Sequence, residues 1–120
     1  MFTDGNVTIM VADMNRAVEF YTQTLGLELR ERFGDGWAMI QGPGVRIGLH
    51  GGRTSEAAAD EPNISIGLAV EKLEPALETL RQRGVELAPT VDGGGARFAF
   101  FRDPDQTALY VFEARGPAAG

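Results

Sequence analysis

No cysteine occurs anywhere in the 120 residues. Thiol nucleophiles, zinc–thiolate sites, iron–sulfur clusters and disulfide staples are therefore excluded together. The same absence fits a reducing compartment, so a cytoplasmic location is expected. Histidine is scarce as well, with His50 the single one. Basic charge is in deficit: 11 Lys+Arg stand against 17 Asp+Glu, a net charge of −6. The basic residues are scattered, which removes the patch that nucleic-acid binding requires, and no nucleic-acid partner is expected. An acidic surface keeps a chain soluble and tolerates cationic small molecules. No segment approaches the roughly 20 apolar residues of a membrane span. The opening residues, Met1 to Asn6, carry neither a basic region nor an apolar run. Neither a signal peptide nor a membrane partner is expected.

What is present is ordinary for a globular chain. The apolar fraction is 43% and the charged fraction 23%, and the length is that of one domain, residues 1–120. Such a chain buries roughly two-thirds of its unfolded surface and needs no staple. Val7, Ile9 and Val11 alternate with Thr8 and Met10, the period of a strand with one face on a core. Asp13 stands where a helix N-cap belongs. Met14, Ala17, Val18, Tyr21 and Leu25 then follow at helical spacing, and Gly26 suits a left-handed C-terminal cap. Strand-like runs at Leu27–Phe33, Trp37–Gln41 and Val45–His50 are separated by Asp35-Gly36 and Gly42-Pro43-Gly44, both turn signals. This half, about 6–50, reads βαβββ.

Residues 51–62 are small and polar with no periodicity, and read as a linker. The pattern then repeats over about 63–115. Ile64, Ile66, Leu68 and Val70 alternate; Leu73, Ala76, Leu77 and Leu80 make a helical stripe, with Pro75 tolerable in its first turn and Gly84 as its cap. Val85–Val91, Arg97–Phe101 and Thr107–Glu113 read as strands, with Asp92 to Gly95 and Asp103 to Gln106 as turns. A shift of 59 places Val11 on Val70, Met14 on Leu73, Ala17 on Ala76 and Val18 on Leu77. The predicted fold class is α+β: two tandem βαβββ modules, each with one sheet face covered by its helix and the other face open.

Val11 to Tyr21, the Leu-Gly-Leu-Glu-Leu of 25–29, and Phe100-Phe101-Arg102-Asp103-Pro104-Asp105 leading into Leu109 to Glu113 carry a resemblance. Two such modules in tandem resemble the vicinal oxygen chelate superfamily, which contains glyoxalase I, extradiol dioxygenases and bleomycin-resistance proteins. One departure is Gln106, where a glycine usually follows Asp-Pro-Asp. The resemblance implies a concave sheet whose open face holds the ligand, with four positions on that face carrying His, Gln or Glu in the metal-dependent members. Those positions fall here on Asn6, Gly48, Ser65 and Tyr110. An amide, no side chain, a hydroxyl and a phenol make neither a two-histidine facial site nor an octahedral oxygen site. No metal and no other cofactor is expected.

Strand parity extends the candidate set. With Val7, Ile9 and Val11 on the helix side, Asn6, Thr8 and Met10 take the open side. Arg46, Gly48 and His50 share it by the same count, as do Tyr110 and Phe112 on the last strand. Trp37, Met39, Phe98 and Phe100 join them as apolar candidates for the wall of an aromatic-lined cavity. Arg46 would pair a ligand carboxylate or point to solvent. His50 reads either as a ligand hydrogen-bond partner or as an ordinary strand-end histidine. The parity of Arg97–Phe101 is not fixed by its composition.

Three functions are compatible with this reading. The first is a metal-independent small-molecule binding protein of the glyoxalase/bleomycin-resistance type, with antibiotic resistance by sequestration as its known use. The second is a glyoxalase-like enzyme with an atypical or non-metal site, for which no catalytic residue is evident. The third is a non-catalytic interaction module. An open apolar sheet face predicts a homodimer.

Overall fold

The computed structural model describes residues 1–54, 62–93 and 96–113. The predicted linker and the Gly93-Gly94-Gly95 turn therefore lie partly outside the described residues. The chain divides into two compact units, Asn6–Ile64 and Met1–Gly5 with Ser65–Gly120.

In the first unit, β1 (Phe2–Val11) contributes residues from Asn6 onward, followed by α1 (Met14–Glu19), β2 (Glu28–Phe33), β3 (Trp37–Gly42) and β4 (Val45–Gly51). The strand order is β2-β3-β4-β1. β1 and β4 are parallel, with Val7 opposite Ile47 and Ile9 opposite Leu49; the other pairs are antiparallel. Asp13 caps α1 as expected, its carboxylate accepting the Arg16 N–H at 3.1 Å. The helix does not run uniformly to Leu25. Residues Phe20–Thr24 form a π-helical turn, closed by the Leu25 N–H on the Phe20 carbonyl at 3.0 Å. There the Thr22 hydroxyl donates to the Val18 carbonyl at 2.7 Å, a side-chain bond that competes with the main-chain ladder. Gly26 follows at φ +79°, the left-handed cap the sequence predicts. Met14, Val18, Ala38, Ile40 and Leu49 make the core, with Ile9, Val11 and Ile47 packed on it.

The second unit repeats this arrangement: β5 (Ile64–Val70), α2 (Leu73–Gln82), β6 (Val91–Gly93), β7 (Ala96–Arg102) and β8 (Ala108–Glu113), in the order β5-β8-β7-β6. Again the first and last strands are parallel, Gly67 opposite Tyr110 and Leu68 opposite Val111. The Lys72 N-cap makes no side-chain bond; instead the Glu113 carboxylate of β8 accepts the Leu73 N–H at 3.1 Å. A charge from the last strand thus satisfies the positive end of the helix. Val70, Leu73, Ala76, Leu77, Leu80, Ala99 and Val111 form the core. Met14 and Val18 in the first unit and Leu73 and Leu77 in the second are the repeat-related pairs, and all four are buried.

Two strand predictions are corrected. The run Val85–Val91 is not a strand; β6 begins only at Val91. Pro89 interrupts it, having no N–H to give a ladder, although Val85 and Leu87 still pack on the core. β1 begins at Phe2, five residues before the first alternating valine. The Thr3 hydroxyl donates to the Ala69 carbonyl at 3.4 Å, so pairing sets this start. At the Asp103 turn, the Asp103 carboxylate accepts the Asp105 and Thr107 N–H groups, each at 2.9 Å. Gln106 holds φ 71°, the left-handed conformation that a glycine would adopt without cost.

Candidate functional site

Each unit has a sheet face turned away from its own helix, and the sequence-predicted residues stand on those two faces. In the first unit the core takes Ala38, Ile40, Ile47 and Leu49, so alternation places Trp37, Met39, Arg46, Gly48 and His50 on the opposite side. Asn6, Thr8 and Met10 share that side on β1, with Thr8 opposite Gly48 and Met10 opposite His50. Asn6 and Thr8 are buried, and the Asn6 amide donates to the Thr8 hydroxyl at 3.0 Å. Trp37 faces His50 across β3 and β4, their ring centroids 6.3 Å apart and their planes at 72°.

The second unit settles the parity left open by the sequence. Ala99 and Phe101 pack on the α2 side, so Phe98 and Phe100 join Ser65, Tyr110 and Phe112 on the other face. Tyr110 sits among three other aromatic rings. Its centroid lies 5.8 Å from Phe98, 5.6 Å from Phe100 and 5.7 Å from Phe112. Offset and edge contacts of this kind contribute about 0.5–1.5 kcal/mol each beyond area burial. Phe98 and Phe100 are wall candidates whose side the sequence leaves open, because a run of Arg-Phe-Ala-Phe-Phe presents apolar groups on both sides. Phe100 remains 41% exposed, an aromatic surface on the open side.

A shared device builds both faces. In the first unit the Trp37 indole lies over Gly48: a Cβ there would come under 3.0 Å of ring carbons Cη2, Cζ2 and Cζ3. In the second unit the Tyr110 ring lies over Gly67, where a Cβ would meet Cζ, the hydroxyl and Cε2 just as closely. In both, the strand pair that includes a predicted metal position, Thr8 with Gly48 or Gly67 with Tyr110, holds one glycine and seats an aromatic ring on it. The residues do not fit a divalent metal. Gly48 supplies no donor and an indole fills the space beside it, while Tyr110 is held among phenyl rings. Among the described residues no group of three or more His, Cys, Asp or Glu gathers as ligands would.

A polar cleft of about 330 Å³ lies elsewhere in the first unit, lined by Ala12, Asp13, Asn15, Asp35, Gly51 and Gly52. None of the predicted residues lines it. Arg32 borders it, donating to the Asn15 side chain at 2.6 Å and to the Asp35 carboxylate at 3.1 Å. No helix among the described residues is long and apolar enough to cross a membrane.

The family model for the Glyoxalase/Bleomycin resistance protein/Dioxygenase superfamily matches residues 5–110. A lactoylglutathione lyase of Salmonella typhimurium is 28% identical over 132 aligned positions, covering 93% of each chain. A superfamily member from Vibrio splendidus has a TM-score of 0.66 at 15% identity, over 92% of this chain and 98% of that one. A Legionella pneumophila structure described as an NAD-dependent benzaldehyde dehydrogenase has a TM-score of 0.76 at 17% identity, over 93% and 100%. At these identities the two structural likenesses establish the fold alone.

Proposed function

Because the chain belongs to the glyoxalase/bleomycin resistance protein/dioxygenase superfamily, we propose that it is a metal-independent small-molecule binding protein whose ligand lies against the aromatic sheet faces. The observation that carries this reading is the seating of Trp37 on Gly48 and of Tyr110 on Gly67. An aromatic platform at these positions offers apolar burial, about 25 cal/mol per Å² before association costs, where a metal would offer a Lewis acid. Asn6 orients a ligand on the face of the first unit, Ser65 and the Tyr110 hydroxyl one on the face of the second. Sequestration of an antibiotic in the cytoplasm is the use this reading suggests. A second reading, a glyoxalase-like lyase or isomerase without a metal, is favoured by the 28% identity to the Salmonella lyase.

A thermal-shift screen against antibiotics and metabolites tests the proposal. A ligand at 100 times its Kd adds about 2.7 kcal/mol, roughly 10 °C for a chain of this size. Once a ligand is found, Trp37→Ala or Tyr110→Ala weakens it about tenfold, near 1.4 kcal/mol. Glu78→Ala, on the exposed side of α2, leaves affinity unchanged. The reverse pattern would mean that the ligand uses the helical side.

Elemental analysis of protein purified without chelator is expected to give far less than one Ni, Zn, Fe or Mn per chain. A stoichiometric metal, lost on Asn6→Ala or Tyr110→Phe, would favour the enzyme reading. A homodimer at micromolar concentration is also expected, since Phe100 is exposed beside the Tyr110 ring. Light scattering at a mass near 12.9 kDa would count against it.

A further inference from the structure

The His50 ring carries more information than its exposure suggests. Its Nδ1 lies 2.7 Å from the Gly51 carbonyl oxygen. A carbonyl only accepts, so Nδ1 holds the proton. A neutral imidazole has one N–H, and Nε2 is therefore left as a lone-pair acceptor. Among the described residues the ring makes no second hydrogen bond, and the side chain is exposed. Its neighbour across the strand pair is Trp37, whose half-buried indole lies 6.3 Å away with the two ring planes at 72°. Met10, opposite His50 on β1, adds a polarizable thioether.

We infer that His50 accepts a hydrogen bond from the ligand, and that Trp37 and His50 together select planar aromatic molecules bearing an uncharged O–H group, the phenol class. The inference rests on the reading of this sheet face as a binding surface. A flat ring stacks on the indole, and its hydroxyl donates to Nε2. An anionic acceptor would face the Nε2 lone pair and is disfavoured, as is an aromatic ether, which has no proton to give. The preference lies in the hydrogen bond and not in the stacking, so matched rings that differ only in that proton separate the two.

The test uses 2-naphthol and 2-methoxynaphthalene, followed by chemical-shift changes in the isotope-labelled protein. One histidine in the chain gives one imidazole spin system, so its tautomer is read without ambiguity. With the ring neutral, the nitrogen shifts are expected to report the Nδ1–H form. 2-Naphthol is expected to bind roughly two- to tenfold more tightly than its methyl ether. In His50→Ala that ratio falls to about one while both compounds still perturb Trp37. An Nε2–H tautomer overturns the inference from the wild-type protein alone. Equal binding of the two compounds to the wild type overturns it while leaving the binding reading intact. If neither compound perturbs Trp37, the indole takes no ring and the inference fails. A ligand found by the thermal screen that is sensitive to Tyr110→Ala would then keep the broader reading standing.

Discussion

Leu77→Ala will cost about 3–4 kcal/mol of stability and lower the melting temperature by more than 10 °C. Leu77 is fully buried at the centre of the second core, where it meets Val70, Leu73, Leu80, Ala99 and Val111. Truncation removes three carbons that α2 presents to the sheet. The loss is the transfer free energy of those groups plus the cavity they leave, and a helix pinned by Glu113 at its first residue has little freedom to collapse into it. The repeat-related Val18 gives an internal control. It is slightly exposed at 9% and loses less on truncation, so Val18→Ala should cost about half as much. Glu78→Ala, next in sequence to Leu77, should stay within about 0.5 kcal/mol, because its pairing to Arg81 is long, at 3.9 Å, and solvated. Urea unfolding of the three variants checks the order. A Leu77 variant no worse than the Val18 variant would mean that α2 is not held against β7 and β8 as described.

Gly51→Ala should be nearly as damaging, about 3 kcal/mol and close to 10 °C, for a different reason. Gly51 ends β4, and a Cβ there would fall on the backbone carbonyl oxygen of Asp35 at less than any van der Waals separation. The neighbour is main chain and is tied down. The Gly51 N–H donates to the Gly36 carbonyl at 3.0 Å, the Gly36 N–H to the Phe33 carbonyl at 3.2 Å, and Arg32 Nε to the Gly34 carbonyl at 2.8 Å. Relief requires the turn and the strand end to separate, which breaks the clamp between them. Gly48→Ala is the contrast. Its Cβ meets only the Trp37 side chain, and an indole can swing where a peptide cannot. That variant should lose about 1–2 kcal/mol and show a changed indole emission from the single tryptophan. Thermal unfolding by circular dichroism ranks the two. If Gly51→Ala melts within 2 °C of the wild type, the contact with Asp35 is not maintained in solution.

Alternation by itself determined which side of β1, β4 and β8 meets a helix, because period two sends Ile9, Leu49 and Val111 to one face and Thr8, Gly48 and Tyr110 to the other. The start of α1 and the stops of both helices were equally local: an aspartate accepting an N–H three residues on, and glycines free to take positive φ at Gly26 and Gly84. The βαβββ repeat was legible because each unit must bury one helical stripe on one sheet face, and that need repeats in the apolar positions. Tertiary pairing alone decided the rest. β1 reaches back to Phe2 through residues that do not alternate, since a ladder is closed by backbone groups that every residue carries. Phe98 and Phe100 found their side only when Ala99 was drawn against Val111 and α2, a choice between two apolar faces that composition leaves degenerate. The seating of Trp37 on Gly48 and Tyr110 on Gly67 is likewise a relation between strands, made where one chain segment lacks a side chain and its neighbour has a large one. A single strand's pattern shows which residues point the same way; which ring fills which gap depends on the register that brings two strands together.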